Sequence, residues 1–289
     1  MDASRSDAKA GNEEGARSAE AAPWDIIEKL MERTATYVYC IVHAAAAPRV
    51  ARAPRGLAGS TAVATVKVAR NLWLALAEVP LATYGPDVLE KSLRDMNWVG
   101  DVAMAHEAVV EYFARQPRAT VIPMTLFTMF SSERRAIDET AGRRREIGAL
   151  VKRLAGCEEW GVRMIRTPAA APALRPGAAR PSSGAAFLAA KKEARDLARG
   201  TIIAAADSAD DAFEALGKIA RDARRRDDVP EGATSPPLLD AAFLVPVARR
   251  TRFKAAVKRL SGGSTKLGTA LTLTGPWPPY NFVHSRGES

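Results

Sequence analysis

The chain has 289 residues, enough for two domains of ordinary size, and its 47% hydrophobic and 26% charged content is that of a globular protein. Two distant cysteines, Cys40 and Cys157, exclude a disulfide framework and fit a reducing cytoplasm, and no apolar run is long enough to cross a membrane. The net charge of +9 is uneven: residues 1–34 hold five basic and eight acidic side chains, leaving +12 on the rest.

Residues 1–22 are polar, Ala-rich and without an apolar centre, which reads as a disordered tail rather than a signal peptide. Trp24, Ile27, Leu30 and Met31 are spaced for a short helix over Pro23 to Arg33. An N-terminal α+β domain is expected over 35–155. It opens with the unbroken apolar strand Tyr37 to Val42, followed by a loop over 44–60. Ala62 to Ala69 and Leu72 to Val79 read as two strands joined tightly through Arg70-Asn71, as in a hairpin. Gly85-Pro86-Asp87 opens a helix with Pro in its first turn.

A longer helix is predicted from Asn97 to Arg115, with Val99, Val102, His106, Val109, Val110 and Phe113 on its apolar side. Val121-Ile122-Pro123-Met124 reads as a strand, and Phe127 to Phe130 continue as apolar chain. The Ser131-Ser132-Glu133 sequence caps one helix over 133–155.

A C-terminal domain is expected over 156–289. It begins with the strand Glu159 to Ile165 and carries a proline-rich insertion over 168–184. Two helical patterns follow, one with Phe187, Ala190, Ala194, Leu197, Thr201 and Ala205. The other has Phe213, Leu216, Ile219, Ala220 and Ala223 behind a cap at Asp207 or Ser208. Arg224 to Asp228 read as its charged end. Ala241 to Val247 is a buried strand, and Phe253, Ala256, Val257 and Leu260 lie on a short helix. Gly262-Gly263-Ser264 turns the chain into a last strand, Thr269 to Thr274. Strands interleaved with helices in both halves give an α+β class with small ferredoxin-like sheets.

The catalytic inventory is thin. His106 has no second histidine four residues on, and an apolar helix face favours a hydrogen-bonded core role. His43 and His284 have no visible partner, and there is no phosphate-binding loop, dinucleotide fingerprint or nucleophile elbow. Glu158-Glu159 and Asp227-Asp228 are adjacent pairs that point different ways, so they do not share a proton or a metal. No catalytic, cofactor-binding or metal-binding residue is assigned. The basic charge leaves a nucleic-acid module as the alternative reading, but aromatics do not alternate with Lys or Arg on any strand.

The end of the chain is more informative. Behind Ala270-Leu271-Thr272-Leu273-Thr274 stands Gly275-Pro276-Trp277-Pro278-Pro279-Tyr280-Asn281-Phe282-Val283. Three prolines in this phrase are not expected to continue a ladder, since each lacks an N–H. The stiff segment offers Trp277, Tyr280 and Phe282 as apolar surface, suited to covering a sheet edge or docking on a partner.

Five stretches in order resemble the gas vesicle protein F/L family. They are Tyr37 to Val42, Asn97-Trp98 with Ala105-His106-Glu107, Val121 to Phe130, Glu159 to Arg163, and the Gly275 to Phe282 phrase. Together they run from about residue 36 to 283, and the last is the specific one. Cys40 departs from a frequent glycine, Thr125 from a frequent basic residue, and Phe127 from a glycine frequent in F-type members, which favours the L-type branch.

The resemblance implies a non-enzymatic accessory protein, an assembly factor or minor shell-associated component in the cytoplasm and at the gas vesicle. It would contact the major shell subunit and other gas vesicle proteins, without cofactor, membrane or small-molecule substrate. It also implies a second domain with a modified ferredoxin-like fold whose terminal tail covers a sheet edge. Trp277, Pro278, Pro279, Tyr280 and Phe282 are the expected partner-binding residues, with exposed sheet edges as a second means of contact. The competing expectation is that Trp277 and Tyr280 only staple the second domain shut.

Overall fold

A computed structural model describes residues 33–167, 183–226, 236–264 and 267–284. The expected tail over 1–22, nearly all of the helix over 23–33 and of the 168–184 insertion, and the Asp227-Asp228 pair lie outside the described residues.

The first sheet is built from β1 (Thr34–His43), β2 (Ala64–Ala69), β3 (Leu72–Pro80), β4 (Thr120–Pro123) and β5 (Met129–Phe130). Its order is β2-β3-β1-β4, with β5 also on β1, and every pairing is antiparallel. Eight consecutive residues of β1, Ala35 to Val42, are buried, because both faces of the sheet are covered. That explains a strand with no polar alternation. The β2–β3 hairpin turns through Asn71 at φ 61°, a left-handed conformation that asparagine tolerates.

After a single turn α1 (Leu81–Tyr84) and the short α2 (Pro86–Ser92), helix α3 runs from Met96 to Ala114. Asp95 caps α3 by accepting from the backbone N–H of Asn97 and Trp98. Val102, His106, Val109, Val110 and Phe113 are buried on its inner side, against Tyr37, Tyr39 and Val42.

The helix predicted over 133–155 is two: α4 (Glu133–Gly142) and α5 (Arg144–Leu154). The break falls at Arg143, whose φ/ψ of −92°/18° leave the helical region and whose guanidinium grips Glu146 with both Nε and Nη2.

The second sheet comprises β6 (Cys157–Arg166), β7 (Asp222–Arg225), β8 (Leu239–Pro246) and β9 (Thr269–Trp277), in the antiparallel order β7-β8-β6-β9. Helix α6 (Gly184–Gly217) connects β6 to β7 and helix α7 (Arg250–Ser264) connects β8 to β9. The result is two interleaved β-α-β units with both helices on one face.

Three expectations fail here. The two helical patterns are one helix of 34 residues, and Ile219, Ala220 and Ala223 lie beyond it. The Arg224-Arg225 run is not a helix end but part of edge strand β7. Helix α7 continues through Gly262-Gly263 to Ser264 rather than turning there, with the Ser264 hydroxyl bonded to the Leu260 carbonyl.

Only the second half of α6 is packed. Ala205, Ala209, Ala212 and Leu216 are buried, while Phe187, Leu188, Leu197, Ile202 and Ile203 are exposed. A third apolar cluster joins the sheets: Val38, Ile41 and Leu74 of the first, Ile147 and Leu154 of α5, and Ala242 and Leu244 from β8. Phe282 completes it.

Candidate partner-binding site

Strand β9 carries the terminal phrase farther than its prolines predict. Thr274 pairs with Gly161 and Trp277 with Glu159, so β9 uses three steps where β6 uses two. The extra residue is a β-bulge at Gly275-Pro276, across a cis peptide. Gly275 is required there: its φ is +111°, and a Cβ would meet the Glu159 carbonyl oxygen at 2.8 Å. The bulge takes Pro276 out of register, and Trp277 rejoins the ladder with its side chain 41% exposed.

Beyond Trp277 the chain leaves the edge for the seam between the sheets. Pro278 and Pro279 are buried, Tyr280 to Phe282 make one 3-10 turn, and Tyr280 packs against the core of the first sheet. Phe282 is fully buried, with the Arg224 guanidinium 5.2 Å from its ring centroid. Strand β9 is itself the edge of the second sheet, and the tail after Trp277 wedges the two sheets together.

Polar contacts fix this wedge. The Glu159 carboxylate accepts from the Asn281 backbone N–H at 2.9 Å and from the Asn281 side-chain amide. Arg153 donates to the Phe282 carbonyl. Glu159 is only 3% exposed, and burial raises its pKa, opposed by the Asn281 hydrogen bonds and the nearby Arg226 and Arg224 charges. The Tyr280 hydroxyl is buried with no hydrogen-bond partner among the described residues, and burial raises its pKa.

Of the five expected binding residues, Trp277 alone presents broad surface; Pro278, Pro279 and Phe282 are interior and Tyr280 is half-buried. Sequence reasoning missed the anchors Glu159, Asn281 and Arg153. A carboxylate inside the buried run of β6 was the available signal, since a buried charge needs donors. Glu158 and Glu159 do diverge as expected. Glu158 pairs with Arg250, whose Nε lies 2.8 Å from its carboxylate, and Glu159 with the tail.

His106 is the expected core histidine. Its Nδ1 shares a hydrogen bond of 2.8 Å with the Tyr37 hydroxyl, whose oxygen also accepts from the Phe127 N–H at 3.3 Å. Burial lowers the His106 pKa to about 4, against a weaker opposite pull from the Met124 carbonyl, and the ring is neutral. Cys40 is buried in the same layer. Phe127 has φ 64°, the left-handed region that favours glycine, and its ring stacks on Trp98 at 5.8 Å and 3°.

Several arginines are engaged within the fold. Arg163 and Arg226 both bind Asp240, and Arg225 reaches Asp210 while covering the Phe213 ring at 4.7 Å. Arg221 donates to the Arg153 and Ala155 carbonyls at the end of α5.

The chain is similar to known proteins in sequence and in fold. The family described as gas vesicle synthesis protein GvpL/GvpF matches residues 35–284. A gas vesicle protein L from a Streptomyces strain is 32% identical over 214 residues, 71% of this chain and 77% of that protein. Gas vesicle protein F2 of Halobacterium salinarum is 23% identical over 228 residues, 79% and 83% of the two chains. The crystal structure of gas vesicle protein GvpF from Anabaena sp. superposes with a TM-score of 0.60 at 16% identity, covering 87% of this chain and 97% of that one. That from Microcystis aeruginosa gives 0.57 at 14%, covering 87% and 99%. At those identities the crystal structures speak to the fold, while the family match and the Streptomyces relative speak to descent. The chain belongs to the gas vesicle protein GvpL/GvpF family.

Proposed function

We propose that this gas vesicle accessory protein works in the cytoplasm and at the vesicle by holding the major shell subunit, along with other gas vesicle proteins, in an assembly-competent state. A subunit with a gas-facing apolar surface is aggregation-prone before assembly, and a partner that lends apolar and main-chain contacts shields it. The reading requires no cofactor and no chemical step. We take residues 35–155 and 156–289 as its two domains and the second sheet with α6 and α7 as a modified ferredoxin-like unit.

One observation carries the contact site. Trp277 sits 41% exposed on edge strand β9, while the residues after it are locked into the seam. The wedge thus serves as the support and the indole as the contact, and aromatic residues on a rigid base are preferred anchors of interfaces. The test is capture of purified shell subunit by the full chain and by Trp277→Ala. We expect at least a tenfold loss of retained subunit with unchanged circular dichroism. Full retention by the folded variant removes Trp277 from the interface.

A further inference from the structure

Among the described residues, strand β9 has hydrogen-bonded neighbours on one side only, where it pairs with β6. Its part from Thr269 to Thr274 pairs with β6 in unbroken register, and the bulge at Gly275 confines irregularity to one end. Such an edge is normally blunted by charge, proline or a covering segment. Here a groove of about 670 Å³ runs beside it, between β9 and helix α7.

The floor of that groove is apolar: Leu271 and Leu273 from the strand and Val257 from the helix. Its far rim is a row spaced four residues apart along α7, Arg250, Lys254 and Lys258. Arg250 is committed to Glu158. Lys254 and Lys258 have no ion-pair partner among the described residues; Lys254 lies 5.7 Å above the Trp160 ring, which holds its ammonium on the rim. Thr251 and Ser261 add hydroxyls to the lining.

An open strand edge flanked by a helix, with an apolar floor between them, is the geometry that accepts an extended peptide as an added strand. We propose that the α7–β9 groove binds an acidic, extended segment of a partner protein, paired to β9 by main-chain hydrogen bonds. Alternate side chains of such a segment, roughly 7 Å apart, face the groove. Lys254 and Lys258, about 6 Å apart along the helix, fit that repeat. Apolar side chains drop onto Leu271, Leu273 and Val257, and a carboxylate between them meets the two ammonium groups. A basic segment meets like charge on the same rim, and a helix cannot satisfy the β9 edge. This rests on reading β9 as a docking edge, but not on Trp277 or on the identity of the shell subunit.

The test uses the full chain and two labelled peptides, Thr-Val-Thr-Glu-Thr-Val-Thr and its counterpart with Lys in place of Glu. Fluorescence anisotropy gives the affinities, and hydrogen exchange reports the amides of residues 269–274. We expect the acidic peptide to bind at least tenfold more tightly than the basic one, to weaken with salt, and to slow exchange along β9. The Lys254→Glu, Lys258→Glu double variant, both positions being exposed, reverses the preference. Equal affinity for the two peptides, protection elsewhere than β9, or no binding at about 1 mM peptide overturns the proposal. Trp277→Ala retains peptide binding, so loss of shell-subunit capture with intact peptide binding separates the two sites.

Discussion

The sharpest consequence of the seam is a contrast between two aromatic residues five positions apart. Phe282 is fully buried where the two sheets meet, and Trp277 is 41% exposed on an edge. Replacing Phe282 by Ala removes a ring packed among Val38, Ile41, Leu244 and Leu154, together with its contact to Arg224. A buried Phe→Ala change costs about 3–5 kcal/mol through lost transfer and the cavity left behind. The ring is shared by both sheets, so the loss also loosens their coupling. Trp277→Ala removes contacts from one side only and costs about 1 kcal/mol. Urea unfolding followed by tryptophan fluorescence and circular dichroism measures both. Phe282→Ala shifts the midpoint strongly and separates the transitions seen by the two probes; Trp277→Ala shifts it slightly. Equal costs for the two, or a Phe282→Ala cost below about 1 kcal/mol, refute the wedge.

Three further expectations follow from buried polar groups and strained backbone. Asn281→Ala strips the buried Glu159 carboxylate of its side-chain donor and costs about 1–3 kcal/mol at neutral pH. The lost bond favoured the ionised form, so the cost shrinks as acid protonates Glu159, read as a pH series of urea midpoints. His106 takes up a proton at pH 6.5 in the unfolded chain but only at about 4 when folded. Its contribution is complete above 6.5 and lost as pH falls to 4, about 3 kcal/mol in all, and His106→Gln flattens this part of the stability profile. At Phe127, with φ 64°, glycine meets no backbone penalty and alanine does, so Phe127→Gly is more stable than Phe127→Ala by about 1 kcal/mol in thermal melts.

The apolar runs Tyr37 to Val42 and Ala241 to Val245 were legible as strands because burial on both faces removes polar alternation. Cap and turn chemistry at Arg70-Asn71 and Ser132 was local and therefore readable. Strand β7 was not. Its Asp-Ala-Arg-Arg sequence has no strand pattern, and it is held by pairing with β8 and by Asp210 and Phe213 from α6. The single helix α6 was hidden because Asp207 and Ser208 look like a cap. They sit mid-helix where the apolar stripe passes from solvent into the core at Ala205.

At the terminus, the prolines and aromatics of the Gly275 to Phe282 phrase marked a stiff segment, and that motif, with four others in order, carried the family resemblance. It did not give the position of that segment. Proline removes a donor wherever it stands, but whether the ladder resumes depends on a bulge, and the bulge depends on the Glu159 carbonyl lying against Gly275. The sequence by itself determined the α+β class, the buried strands and the core role of His106, because these follow from short-range pattern and hydrophobicity. Only tertiary structure decided that Phe282 faces inward, that Trp277 faces outward and that Glu159 holds Asn281. Each of those depends on contacts between residues more than a hundred positions apart, which no local pattern encodes.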